Sequence, residues 1–162
     1  MQRERGRDDR IRINMNIYFS CSITGGRSDQ AVYQKIVEFL VDHGHEVPTA
    51  HLSREDVLED ERMVLPVDVY ERDVRWVNEC DALIAEVSTP SHGVGYEIAL
   101  ALLQGKPVLC CYRQGKTVSK MILGNSQPGL SLYAYESASD MLDAVERFLE
   151  QKSDGPNVIA RE

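Results

Sequence analysis

The sequence predicts an α/β fold: one doubly wound domain with a five-stranded parallel sheet, strand order 2-1-3-4-5, and helices on both faces. Three observations lead there. Apolar runs too short for helices, such as Ala82–Val87 and Val108–Tyr112, alternate along the chain with segments of helical period. The two loops richest in glycine and hydroxyl residues, Cys21–Arg27 and Ser88–Gly95, each follow a strand and precede a helix. Ligands of such folds bind at the carboxyl ends of the strands, where the strand order reverses. The chain has 162 residues, 43% hydrophobic and 27% charged, the size and composition of one globular domain.

Met1–Arg12 mixes charges of both signs and has no apolar stretch of the kind a secretory signal needs. It reads as a flexible tail, with the domain spanning residues 13–151. Asn14–Ser20 is the first strand. Ser28 or Asp29 caps a helix with Val32, Ile36, Phe39 and Leu40 on one face, and Gly44 ends it. Glu46–Thr49 is a short second strand, and Glu55–Val64 reads as an ambiguous, mobile connection. A helix that follows Pro66 and runs through Glu79 places Val67, Tyr70, Val74 and Val77 three and four apart. Asp81–Val87 is the third strand, followed by a helix from Gly95 to Gln104 that is almost wholly apolar after Glu97. Gly105-Lys106-Pro107 stops that helix and opens the fourth strand, Val108–Tyr112. Leu130–Tyr135 is the fifth strand, Ala138–Gln151 a final amphipathic helix, and residues 152–162 a second loose tail.

A net charge of −8 argues against a general nucleic-acid or anionic-membrane binder, and no stretch is long enough in apolar residues to span a bilayer. An anionic ligand must then be held by local N–H groups and hydroxyls. Cys21, Cys80, Cys110 and Cys111 form no CxxC pair, and adjacent Cys110 and Cys111 in a strand face opposite ways. A reducing compartment is expected, the cytoplasm or a eukaryotic nucleus. His43, His45 and His92 show no ligand spacing, so neither a metal nor a cofactor is expected.

The stretch around Glu97 carries the chemistry. A strand, the turn through Ser88 and Ser91, Gly93 and Gly95, and a helix start together make an anion site. Glu97, placed in the helix's first turn, is expected to stay ionised there. It is either a dipole-complementing carboxylate or a reactive one. Asp73 lies on the flank of its helix's apolar stripe, as the edge of a solvated side or as a half-buried acid. Tyr18 and Ser20 share one face of the first strand and Ile17 and Phe19 the other, so Tyr18 is core or orients a carboxylate. His51 is a loop residue or a ligand contact, and Glu86 orients another side chain or binds a sugar hydroxyl. The glycines after the third strand lack the third glycine of a dinucleotide fingerprint, and no P-loop motif occurs. A phosphate-accepting receiver domain would need acids where Cys21 and Ser22 stand.

IYFSCSITGGR, ERDVRWVNECDALIAEVSTPSHGVGYEIALA and TVSKMI together resemble the 2′-deoxynucleoside 5′-monophosphate N-hydrolases of the nucleoside 2-deoxyribosyltransferase-like superfamily. The resemblance runs from about Ile13 to Leu149. It implies Glu97 as nucleophile, Asp73 as the acid assisting departure of the base, and Tyr18 as the residue positioning Glu97. It also implies nucleotide contacts at Cys21, Ser22, Ile23, Thr24, Gly25, Gly26, Arg27 and Ser91; His51, Glu86, Ser88 and Gly93 are further candidate substrate contacts from their places in the chain. A homodimer is implied too, in which Ser119 to Met121 of one subunit completes the phosphate site of the other. The relatives' loop reads CGSIRGGR. Cys21 stands here for its glycine and Thr24 for its arginine, departures that bear on base preference. Three functions remain open: a deoxynucleotide N-hydrolase, a ribonucleotide hydrolase or deoxyribosyltransferase, and a non-catalytic nucleotide sensor. The sensor needs no joint retention of Tyr18, Asp73 and Glu97.

Overall fold

The computed structural model describes residues 14–26 and 28–153. The expected N-terminal tail, Arg27 and the chain after Ser153 lie outside the described residues. Four strands, β1 (Ile17–Ser20), β2 (Ala82–Glu86), β3 (Val108–Arg113) and β4 (Leu130–Tyr135), form a parallel sheet in that order. Tyr18 registers with Leu83, and Glu86 with Cys111. The helices are α1 (Gln30–Asp42), α2 (Val57–Arg62), α3 (Pro66–Glu79), α4 (His92–Leu103), α5 (Lys120–Leu123) and α6 (Ala138–Ser153), with a 3-10 turn at Ala50–Ser53.

Strand alternation divides the core into two layers. Ile17, Phe19, Ile84, Leu109 and Cys111 pack with Tyr33, Ile36 and Leu40 of α1 and Met141, Val145 and Phe148 of α6. Tyr18, Leu83, Ala85, Val108 and Cys110 pack on the other face with Val77 of α3 and Val94, Ile98 and Ala101 of α4. Cys110 and Cys111 thus face opposite ways, as adjacent strand residues must. Among the described residues, no helix is long and apolar enough to cross a membrane.

The expected five-stranded sheet, order 2-1-3-4-5, is corrected to four strands among the described residues. Of the expected second strand, Glu46–Thr49, one parallel bridge between Asn16 and Glu46 remains. Pro48 has no N–H to give a ladder, and Thr49 leads straight into the 3-10 turn. Its hydroxyl instead accepts from Phe19 N at 3.0 Å, so a side chain caps the outer edge of β1 where a strand carbonyl would. The reversal of strand order therefore shrinks to that one bridge, and the site is positioned chiefly by α3 and α4. The expected mobile connection, Glu55–Val64, contains α2, anchored by the fully buried Val57.

The helix expected from Gly95 begins at His92. Ser91 caps it, its hydroxyl accepting from Val94 N at 3.4 Å. Glu97 consequently sits in the second turn rather than the first. The stripe on α3 is also not plain core: Val77 is buried, whereas Val67 and Tyr70 are 55% and 56% exposed.

Candidate active site

Side chains of α3 and α4 line a cavity of about 270 Å³. Pro66, Val69, Tyr70, Val74, Val77, Gly93, Tyr96 and Leu100 line it, and its two carboxylates are Asp73 and Glu97. Helical spacing explains the pairing. Asp73 follows Tyr70 and Val69 by three and four residues on α3, and Glu97 follows Gly93 by four on α4, so each acid projects from the apolar face of its helix.

Ser20 ends β1 on the same face as Tyr18, and its hydroxyl donates to Glu97 Oε2 at 2.5 Å. Burial pushes the Glu97 carboxyl up to about 7. The Ser20 and Tyr18 hydroxyls and the Arg72 charge pull it down, while the Asp73 charge adds to the rise. The expectation of a simply ionised carboxylate is thus corrected, because desolvation outweighs the helix dipole so far along α4. Tyr18 is fully buried, and burial followed by the nearby Glu97 charge raises its phenol well above the usual range. Its hydroxyl makes no hydrogen bond of good geometry, so its contact with Glu97 is a loose one, felt in the acidity of both groups.

Asp73 Oδ1 accepts from Arg72 Nε at 2.8 Å, and the same guanidinium grips Glu61 of α2 at 3.0 and 3.3 Å. Burial opposes the Arg72 charge, but the hydrogen bonds to Asp73 and Glu61 more than offset it and hold the group above its usual range. Arg72 also lies over the Trp76 ring at 5.0 Å. His51 Nε2 meets Glu61 at 3.3 Å, and its ring meets Trp76 edge-on at 5.9 Å. His51 therefore reaches Asp73 through Glu61 and Arg72.

The other expected contacts fall into three groups. In the first loop, Gly25 passes against the second loop so closely that a Cβ there would lie 2.3 Å from Pro90 O, and Gly26 has φ +132°, a conformation few other residues accept. Cys21 faces the opposite layer, its thiol 3.8 Å from Leu52 O. Ser22 is buried, Ile23 packs on the α1 side and Thr24 is exposed. In the second loop, Glu86 is fully buried and held by Ser88, while Ser91 and Gly93 stand at the start of α4. The third group is separate: Ser119 caps α5, accepting from Met121 N at 3.2 Å, and Met121 is 85% exposed. Among the described residues, no group of His, Cys, Asp and Glu could hold a metal ion.

Sequence reasoning missed Ser20, Arg72 and Glu61. Ser20 was within reach, since alternation already put it beside Tyr18. The ion pairs of Arg72 depend on how α2 folds back on α3, for which no local pattern exists.

The profile described as nucleoside 2-deoxyribosyltransferase matches residues 17–149. A Methanococcoides burtonii protein with the provisional name 2′-deoxynucleoside 5′-phosphate N-hydrolase 1 is 40% identical over 118 residues, 73% of this chain and 97% of its own. A Danio rerio protein named 5-hydroxymethyl-dUMP N-hydrolase is 42% identical over 142 residues, 85% of this chain and 94% of its own. Among solved structures, a Clostridium botulinum CMP N-glycosidase superposes with a TM-score of 0.60 at 19% identity, covering 80% of this chain and 98% of that one, a likeness of fold. The chain belongs to the nucleoside 2-deoxyribosyltransferase family.

Proposed function

We propose that this protein hydrolyses the N-glycosidic bond of 2′-deoxynucleoside 5′-monophosphates, giving the free base and 2-deoxyribose 5-phosphate. The observation that carries the reading is the convergence of Glu97 and Asp73 on one apolar cavity. Glycosidic cleavage passes through an oxocarbenium-like state that one carboxylate stabilises or traps while a second acid protonates the leaving group. The names of the relatives supply the substrate class.

In the first step, a Glu97 oxygen attacks C1′ as the C1′–N bond breaks, and Asp73 gives its proton to the departing base. Arg72 holds Asp73 Oδ1, which leaves the other oxygen for the base in this scheme. Water then attacks C1′ of the glycosyl ester and Asp73 takes its proton, releasing the sugar phosphate and restoring both carboxyls. Ser20 and Tyr18 steady Glu97 during attack. The start of α4, with Ser91, Gly93 and Gly95 free of bulky side chains, receives the 5′-phosphate. Binding energy gathered there holds the sugar in register with Glu97.

A second subunit completes the site through Ser119 to Met121. Exposed Met121 and Leu123 on α5, and exposed Tyr70 and Tyr96 lining the cavity, support that assembly. Release of free base from ribo- and deoxynucleoside monophosphates, with and without an acceptor base, tests the reading. Hydrolysis of deoxynucleotides is expected. Transfer to the acceptor, or turnover confined to ribonucleotides, overturns the substrate assignment, and binding without turnover leaves a sensor. Trapping of the sugar by methanol with retained configuration supports the covalent step.

A further inference from the structure

We propose that Glu86 is a positioning residue for phosphate recognition, holding the turn between β2 and α4 so that the helix start meets the 5′-phosphate. This rests on the deoxynucleotide reading above. By strand alternation Glu86 faces the α1/α6 layer, away from Glu97, and it has no exposed surface. It therefore touches no substrate in the α3/α4 cavity. A buried carboxylate without partners is costly, yet here three donors converge on it. Ser88 Oγ donates to Oε1 at 2.5 Å, Tyr135 Oη to the same oxygen at 2.9 Å, and Ser88 N to Oε2 at 3.3 Å. Burial pushes its pKa up and the hydroxyls of Ser88 and Tyr135 pull it back.

The rest of the turn is tied residue by residue. Ser88 Oγ also accepts from Arg113 N at 2.7 Å. Thr89 donates to Asp29 at 3.2 Å, and Asp29 is paired with Arg113 at 3.0 Å. Pro90 O closes on Gly25 of the first loop. Ser91 then caps α4. Glu86 is the buried end of this chain of contacts, and its link to Ser88 fixes where the helix begins. An amide in its place could keep Ser88 Oγ and Tyr135 Oη on its one oxygen but would set an NH2 group against Ser88 N, loosening the hold on the Ser88 backbone. The body of α4, anchored by Val94, Ile98, Ala101 and Leu102, would stay where it is.

The test measures equilibrium binding of dUMP and of deoxyuridine in a Glu97→Gln background, where turnover is stopped, with and without Glu86→Gln. Loss of phosphate positioning weakens dUMP by about tenfold or more and deoxyuridine by less than about threefold. Equal weakening of both ligands, or unchanged dUMP affinity in a folded variant, overturns the proposal. Tyr135→Phe, which removes one donor and spares the turn itself, is measured alongside. Where Glu86→Gln does not fold, a selective loss of dUMP affinity of about twofold or more in Tyr135→Phe supports the proposal, and its absence overturns it. A wild-type chain that binds dUMP selectively but releases no base from any deoxynucleotide refutes the reaction, while the affinity comparison still decides the role of Glu86.

Discussion

Glu97 illustrates how burial sets both the reactivity and the cost of a carboxylate. A carboxyl pushed up to about 7 is ionised only as pH rises through neutrality, so a nucleophilic Glu97 requires an acid limb in kcat/KM with an apparent pKa near that value. Ser20→Ala removes a hydrogen bond that favours the anion, so the limb should move to higher pH, as rate profiles of the two enzymes will show. Glu97→Gln should lower base release by about a thousandfold or more, measured in single-turnover assays. Stability follows the opposite course. The native state binds a proton that the unfolded chain, with an ordinary carboxyl near 4.5, has already lost. The contribution is present below the unfolded pKa and is lost as pH rises from there through about 7. Replacing the charge with an amide should therefore stabilise the fold at pH 8, by at most about 3 kcal/mol and less for a partly exposed group, with little effect near pH 4. Thermal unfolding at the two pH values checks the sign.

Among the elements, α4 and the two loops flanking its start act together, and Gly25 is where they meet. A methyl group at Gly25 would lie 2.3 Å from the Pro90 carbonyl and 2.9 Å from Ser22 Oγ, so the loops must part. Gly25→Ala should cost about 1–3 kcal/mol and raise KM for a deoxynucleotide more than it lowers kcat, since Glu97 lies beyond the turn. Denaturant melts and initial rates measure the two effects. The same elements explain what could be read in the chain beforehand. The strand Leu130–Tyr135 is legible to the residue and the helix Pro66–Glu79 nearly so, because a short apolar run between turn signals or a proline at the start marks each. The second strand was not, since a parallel edge is completed by partners distant in sequence, and here Thr49 supplies a hydroxyl to Phe19 instead. The start of α4 was read late because Gly93 and Gly95 look like loop residues, whereas Ser91 already caps the helix. Asp73 and Glu97 were identifiable as candidates from their places on the helices. Their convergence on one cavity, and the grip of Arg72 on Asp73 and Glu61, depend on how α2, α3 and α4 pack.

For the molecule as a whole, the apolar side chains left outside the core argue for a second copy. Tyr70 and Tyr96 line the cavity and are exposed, Val67 is exposed on the same helix as Tyr70, and Met121 and Leu123 are exposed on α5. A twofold dimer can bring the second group over the first twice, once for each site. In the proposed assembly Ser119, at the cap of α5, faces the partner's phosphate. The two halves of each site then come from different chains, and mixing separates them. Glu97→Gln destroys the site on its own subunit. Ser119→Asp sets a negative charge against the phosphate bound by the partner, so it disables the other subunit's site. Each variant alone should be inactive or nearly so. After the two are unfolded and refolded together, about half of the dimers are mixed by statistics. Each mixed dimer carries both defects in one site and none in the other, restoring about a quarter of wild-type activity. A self-contained site forbids this recovery, because each variant would then carry its own lesion into every dimer. Sedimentation of the separate and mixed proteins, with base-release assays on the same samples, distinguishes the two arrangements: recovered activity in a dimeric fraction assigns Ser119 to the neighbouring site, and activity in a monomer excludes it.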